Sequence, residues 1–302
     1  MRLGVHLPLA DLGDGPPTGA DLQSYVVAAR ELGFMTVAAN DHLLWSHPWL
    51  DGTVALASVA ASAGDMTLAT SITLPVIRHP AVVAKTLTTL AALTRGPLVG
   101  GLGPGSSRRD YDAVGIPFEE RWARFDEALP LVRALVSGEP TESGKFHAGG
   151  YDIAPRPDPR PRIWFASWGS DRRLAAMAAV ADGWFASAYN ATPDQYADAR
   201  GRLDAHLRDA GRAPASFPDA VATAWLFVTE SRQEAEHVLV DVLAPTLNRD
   251  PEKLRHLPIG SAQYCSEALA AYAAAGAGEV LVWPVRDSLQ QIERCASAAA
   301  SI

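Results

Sequence analysis

Residues 68–121, LATSITLPVIRHPAVVAKTLTTLAALTRGPLVGGLGPGSSRRDYDAVGIPFEER, decide the fold. Two short apolar runs, 68–74 and 97–102, enclose a helical segment, 81–93. Strand, helix and strand in that order form a βαβ unit with parallel strands. Thr70, Ser71 and Thr73 stud the first run, and the second leads into Gly100-Gly101-Leu102-Gly103-Pro104-Gly105-Ser106-Ser107. A polar strand end beside a loop stripped of side chains suits a ligand site better than a core.

The same alternation extends in both directions. Upstream, strands are expected at 3–7 and 35–39, each followed by a helix, 21–32 and 53–63, that a glycine ends. Downstream, the helix 119–136 carries Trp122, Phe125, Leu129, Val132 and Val136 at steps of three and four. Further strands follow at 162–166, 183–186, 220–228 and 279–283, separated by helices that open on Thr192-Pro193-Asp194-Gln195, Ser231-Arg232-Gln233-Glu234 and Ser261, with a last helix at 288–300. Eight strands alternating with helices, without a linker-like shift in composition, predict one α/β domain over 1–302, a (β/α)8 TIM barrel. The segment 139–162, between helix 4 and strand 5, holds five prolines and reads as a short insertion with a small hairpin at 146–153. A doubly wound sheet is the rival, but strand one runs into Pro8 and a polar loop instead of a dinucleotide motif.

The apolar fraction of 48% fits a globular chain with a large core, and the net charge of −8 argues against a nucleic acid or an anionic membrane surface as partner. Cys265 and Cys295 lie in Ala-rich helical surroundings, outside any Cys/His cluster, so no metal site is expected and two reduced structural thiols are. The first residues lack a signal peptide's apolar region, and no stretch approaches the ~20 apolar residues of a membrane span. A cytoplasmic location is the expectation.

In a barrel of this kind the site lies at the C-terminal ends of the strands. Those ends offer His6, Asp41 and His42, Ser71 to Leu74, Gly103 to Ser106, Ser167 to Ser170, Ala188 to Asn190, and Trp283. The set is small, polar and aromatic, which suits a flat cofactor better than a pair of hydrolytic carboxylates. His42 is the acid/base candidate, with the adjacent Asp41 placed to raise its pKa; Asp41 as a cap of the next helix remains equally open. Gly100 to Gly105 reads G-G-L-G-P-G and departs from a dinucleotide fingerprint. Ser167-Trp168-Gly169-Ser170 opens a helix directly after a strand, where free amides and the helix dipole favour an anion. Arg78 and His79 are expected in a solvated loop or a subunit contact, and Trp45, Trp49 and Trp168 at the rim.

Taken together, these residues resemble the luciferase-like superfamily of flavin and deazaflavin oxidoreductases. The resemblance runs over nearly the whole chain: LATSITLPVIRHPAVVAKTLTTLAAL, PLVGGLGPG, GIPFEER, PRIWFASWGS, VADGWF and AGAGEVLVWPV occur in order. It implies a (β/α)8 barrel that binds coenzyme F420, an 8-hydroxy-5-deazaflavin, or else FMN. Asp41 and His42 match the strand-two motif whose histidine faces the ring and transfers a proton. Ser71-Ile72 matches the strand-three bulge, where a non-prolyl cis peptide backs the ring. Ser167, Trp168, Gly169 and Ser170 match the phosphate turn, and Gly103, Gly105 and Ser106 the loop beside the ring. A homodimer, paired through helices two and three, is also implied.

One departure is informative. Deazaflavin-dependent sugar-phosphate and alcohol dehydrogenases of this family keep a glutamate after the strand-four glycines, where this chain has Ser106. The expectation is therefore a deazaflavin-dependent reductase passing hydride to a small organic substrate. The alternatives are an FMN-dependent monooxygenase fed by a partner flavin reductase, and a flavin-binding barrel without turnover. Substrate choice is expected to rest on 140–161, 188–190 and 246–258.

Overall fold

The computed structural model describes residues 1–142, 144–148, 150 and 152–300. Eight parallel strands close on themselves: β1 (Arg2–His6), β2 (Thr36–Ala39), β3 (Thr67–Thr73), β4 (Leu98–Leu102), β5 (Arg162–Ala166), β6 (Gly183–Ser187), β7 (Asp219–Val228) and β8 (Glu279–Pro284). Neighbours in sequence pair throughout, and β8 returns to β1 with Arg2 opposite Glu279. The main helices form the outer layer: α1 (Gly19–Glu31), α2 (Gly52–Ala63), α3 (Pro80–Leu93), α4 (Arg121–Ser137), α5 (Asp171–Val180), α6 (Pro193–Asp209), α7 (Ala262–Ala274) and α8 (Ser288–Ala299). The expected (β/α)8 barrel is therefore the architecture observed.

Two layers of apolar packing follow from strand alternation. Val5, Val37, Leu68 and Val280 face outward into the large shell between strands and helices. Ala38, Ala69, Val99, Trp164, Phe185, Ala220, Ala222 and Leu281 fill the barrel itself. Gly101 is needed there, because a Cβ would lie 2.3 Å from the Thr70 carbonyl oxygen and 2.6 Å from the Phe185 ring. Two residues further along their strands, His6, Asn40, Ser71, Ala166, Ser187 and Trp283 form the next inward layer, at the mouth. The interior thus changes from apolar to polar and aromatic within one step of the pleat.

Two strands break their register where the mouth begins. β3 shifts against β4 between Thr70 and Thr73, and Ser71-Ile72 is a non-prolyl cis peptide. β7 shifts against β8 between Val221 and Ala224, with Thr223 at φ 58°.

Several local expectations change. Asp51, not Asp41, caps α2, through the N–H groups of Thr53 and Val54. Arg108–Ala113 is a further short helix after the glycine loop, and Ile259–Gly260 is a two-residue strand added to β7. Within 139–161 no strand occurs among the described residues; of the hairpin expected at 146–153, Gly149 and Tyr151 lie outside them. The thiols of Cys265 and Cys295 are free and buried, and burial pushes both up to about 12. Among the described residues no helix is long and apolar enough to cross a membrane.

Candidate active site

His42 follows β2 and sits half-buried in a cluster of rings. Trp45 lies 4.2 Å and Trp49 5.0 Å from it, centroid to centroid. Its Nδ1 is 2.9 Å from Oδ2 of Asp110, a carboxylate 1% exposed. The other Asp110 oxygen accepts the Leu44 N–H at 2.7 Å, which fixes the loop that carries the histidine. An ionised carboxylate only accepts, so Nδ1 donates and Nε2 is left for chemistry.

Asp41 does not serve His42, contrary to the expectation from adjacency. Its carboxylate takes two parallel bonds from Arg78, Nε to Oδ2 at 2.7 Å and Nη2 to Oδ1 at 2.7 Å, and a third from the Leu74 N–H at 3.3 Å. Arg78 also reaches Asp51 at 2.5 Å. Burial pushes the Asp51 carboxyl up, but the Val54 N–H, Arg78 and Thr53 outweigh it and hold the group below the usual range. Arg78 is therefore a half-buried tie between the ends of β2 and β3 and the start of α2, not part of a solvated loop. A carboxylate beside its imidazole in sequence points elsewhere because the strand end turns successive side chains to opposite sides.

Ser71, Ile72 and the glycine loop form a continuous wall. Asn40 donates from Nδ2 to the Ser71 carbonyl at 3.1 Å, tying β2 to the cis peptide. A Cβ on Gly103 would lie 2.4 Å from Ile72 Cδ1 and 3.5 Å from Ala166 Cβ, and Gly105 has φ 76° against Leu74. Ser71 Oγ, Thr73 Oγ1 and Asn40 Oδ1 are buried without a partner among the described residues. Ser106 is exposed beyond this wall.

Ser167 to Ser170 make the turn from β5 into α5. Ser167 Oγ accepts the Gly169 N–H at 3.2 Å, and Gly169 has φ 87°. Ser170 occupies the N-cap position, yet its hydroxyl makes no cap bond, so the first amides of α5 and the hydroxyl stay available. Trp168 projects outward, 59% exposed, with the Arg249 guanidinium 5.8 Å from its ring. Arg249 also donates to Asn190 Oδ1 at 2.7 Å, and Asn190 donates to Ser187 Oγ at 2.9 Å.

Opposite the glycine wall, the mouth is aromatic. Trp283 stacks between His6 and Trp225, 4.3 Å from each, and meets Trp49 edge-on at 5.6 Å. His6 Nε2 accepts the Thr223 N–H at 3.4 Å, and complete burial lowers its pKa to about 3, so the ring is neutral. The geometry thus brings His42, Ser71-Ile72, Gly103 and Gly105 together, leaves Ser106 and Trp168 at the rim, and adds Asp110, Arg78 and Trp225. Asp110 could have been suspected from Ser107-x-x-Asp110, a capping pattern, though Ser107 Oγ holds the Asp110 N–H while the carboxylate turns back to His42. Among the described residues no group of three or more His, Cys, Asp and Glu is placed to hold a metal.

The sequence pattern of the luciferase-like monooxygenases matches residues 1–279. The F420-dependent glucose-6-phosphate dehydrogenase of Beutenbergia cavernae is 38% identical over 181 residues, 54% of this chain and 51% of that protein. A phthiodiolone/phenolphthiodiolone dimycocerosates ketoreductase of Mycobacterium sp. (strain JLS) is 28% identical over 254 residues, 73% of this chain and 64% of that protein. The chain spans about half the length of the curated relatives it matches, 51% and 44% for two of them. An F420-dependent secondary alcohol dehydrogenase in complex with an F420-acetone adduct superposes with a TM-score of 0.83 at 17% identity, covering 99% of this chain and 98% of that one. A monooxygenase of Streptomyces bottropensis does so with 0.81 at 22% identity and the same coverage. At these identities the structural likeness is one of fold.

Proposed function

Because this chain belongs to the luciferase-like monooxygenase family, we propose that it is an oxidoreductase that holds coenzyme F420 across the barrel mouth and reduces a small organic substrate. The observation that carries the reading is the His42–Asp110 pair after β2, which occupies Nδ1 and leaves Nε2 for chemistry. Two relatives named for F420 or for keto reduction favour the deazaflavin over FMN.

The residues present fit such a group. The Ser71-Ile72 cis peptide and the bare Gly103 give a flat wall in which a Cβ would intrude, and the unpartnered Ser71 Oγ and Thr73 Oγ1 offer hydrogen bonds to ring heteroatoms. The open amides of α5 and the hydroxyls of Ser167 and Ser170 suit a phosphate. When bound, the reduced deazaflavin supplies the hydride; the protein supplies position and a proton. His42 holds that proton on Nε2 and delivers it to the substrate atom that gains electron density, while Asp110 stabilises the charged imidazolium. Asp41, drawn into the Arg78 pair, acts by holding the strand end that carries His42. Trp45 and Trp49 close over the imidazole and limit water around it. Ser106, in place of an acid, leaves His42 as the proton donor.

We place the enzyme in the cytoplasm, where its two thiols stay reduced, as a homodimer through α2 and α3, whose Val54 and Val82 are exposed. Fluorescence titration with oxidised F420 and with FMN tests the cofactor assignment. Micromolar F420 binding with none of FMN is expected; FMN binding alone would shift the reading to a monooxygenase served by a flavin reductase, and binding without turnover to a cofactor carrier.

A further inference from the structure

Arg249 is a cation at the barrel mouth that the proposed chemistry does not use. It lies on the long segment after β7, which folds back over the end of β6. His256 of that segment places Nε2 2.6 Å from the Ala188 carbonyl, and Asn248, at φ 50°, turns the chain just before Arg249. The guanidinium comes to 5.8 Å from the ring centres of both Trp168 and Tyr189. Asn190 Oδ1 accepts from its Nη2 at 2.7 Å, Asn190 Nδ2 donates to Ser187 Oγ at 2.9 Å, and Ser187 Oγ lies 2.9 Å from Thr223 Oγ1. A run of side-chain hydrogen bonds thus leads from the break in β7 to the rim, where it aims the guanidinium.

The acceptor that holds Arg249 is neutral. Arg78, Arg173 and Arg200 each hold a carboxylate, whereas Asn190 is the one acceptor of Arg249 among the described residues. Its charge and most of its N–H donors therefore remain for a ligand. Two acidic groups close by in this region are drawn elsewhere: Asp250 accepts the Glu252 N–H at 3.1 Å, and Asp171, the first residue of α5, lies 3.0 Å from His206 Nε2. In a chain of net charge −8, an anion needs such a local counter-charge. Position names the anion. Trp168 belongs to the Ser167–Ser170 turn, where the N-cap hydroxyl of α5 makes no cap bond. In the ring of eight, β6 is the fourth strand on from β2, so Asn190 and Arg249 stand across the mouth from His42. A flat cofactor with its reacting end at His42 has its other end on this side. We propose that Arg249 is the counter-charge of the cofactor's phosphate, flanked by Trp168 and Tyr189 and aimed by Asn190. The proposal rests on the cofactor reading and deepens it, and it turns 188–190 and 246–258, expected to choose the substrate, toward holding the cofactor.

Fluorescence titration of the whole protein tests this with three probes: F420, FO, which has the same ring and ribityl chain without a phosphate, and FO 5′-phosphate. Arg249→Gln, at an exposed position, is expected to weaken F420 and FO 5′-phosphate about tenfold, the loss of one charge-assisted contact, and to leave FO unchanged. Arg249→Lys keeps the charge and should recover part of that affinity. Added salt should weaken F420 less in Arg249→Gln than in the parent protein. Unchanged F420 affinity in Arg249→Gln, or an equal loss for FO, would overturn the proposal. A loss for F420 without one for FO 5′-phosphate would also overturn it, by moving the cation to acidic groups beyond the phosphate. So would a raised substrate KM with F420 affinity intact, which would give the cation to the substrate. If the parent protein binds FMN and not F420, the deazaflavin reading fails, and FMN with riboflavin makes the same comparison for Arg249. If it binds none of these, both readings fall.

Discussion

Nδ1 of His42 lies 2.9 Å from Oδ2 of Asp110, a residue 68 positions further along the chain in the short helix after β4. The same carboxylate receives the Leu44 N–H. One group thus sets both the loop that presents the imidazole and the ring nitrogen that carries its fixed proton. The device reaches across three strands, since β3 lies between β2 and β4 and the Arg108–Ala113 helix follows β4.

Replacing Asp110 by Asn separates these two duties. An amide has one oxygen, and the Leu44 N–H at 2.7 Å is its natural donor. The NH2 group then faces Nδ1, which must accept, and the neutral ring carries its proton on Nε2. We expect kcat to fall on the order of 10²-fold, with F420 affinity nearly unchanged. Nitrogen-15 NMR of the imidazole should show the tautomer reversed; unchanged turnover would remove Asp110 from the mechanism.

Arg78→Ala tests the tie beneath the site. Asp41 is 2% exposed and would keep the Leu74 N–H at 3.3 Å as its remaining bond. Removing one partner of a buried pair leaves an uncompensated charge, and a loss of about 3 kcal/mol is expected in urea denaturation. A loss under about 0.5 kcal/mol, the size of ordinary surface effects, would mean that water replaces the guanidinium freely.

The barrel was legible from sequence because its signal is repeated. Each strand is a short apolar run, each helix has a cap or a terminal glycine, and the order never breaks. That the glycine loop and the Ser167–Ser170 turn fall at strand ends was legible for a related reason: both are local patterns, set by missing side chains and a helix start. What adjacency suggested for Asp41 and His42 did not hold, since pairing of charged groups is decided across strands. The carboxylate that His42 uses is contributed by residue 110, and the guanidinium that Asp41 uses by residue 78. Nor does composition reveal that Trp225 and Trp283, far apart in sequence, stack at 4.3 Å beside a cavity.

Gly101 and Gly103 are neighbours with different duties, and alanine distinguishes them. At Gly101 the new methyl meets the Thr70 carbonyl at 2.3 Å, which cannot move without breaking the sheet, so a loss of about 3 kcal/mol is expected. At Gly103 it meets the tip of the Ile72 side chain at 2.4 Å, which can rotate away at little cost to the fold. The displaced Ile72 then occupies the mouth. Gly103→Ala should keep its urea midpoint while F420 binding weakens about tenfold, the effect of a modest steric intrusion. Equal F420 affinity in the variant would show that the wall is not in contact with the ring.

His6 gives the stability a pH dependence of defined sign. Burial lowers its folded pKa from 6.5 to about 3, so the unfolded chain binds a proton that the native barrel refuses. The contribution is fully present above pH 6.5 and is lost as pH falls toward 3, because protonation there favours the unfolded state. Stability should decline by at most about 1.4 kcal/mol per pH unit from this group. Burial also raises the Glu279 carboxyl towards this window, so the His6 contribution is read as a difference from a variant that lacks it. His6→Gln can still accept the Thr223 N–H and has no proton to gain. Urea midpoints at pH 7, 5.5 and 4.5 should therefore fall more steeply for the parent protein than for the variant. Parallel declines would show that His6 is protonated in the folded barrel, and that the stack with Trp283 tolerates an imidazolium.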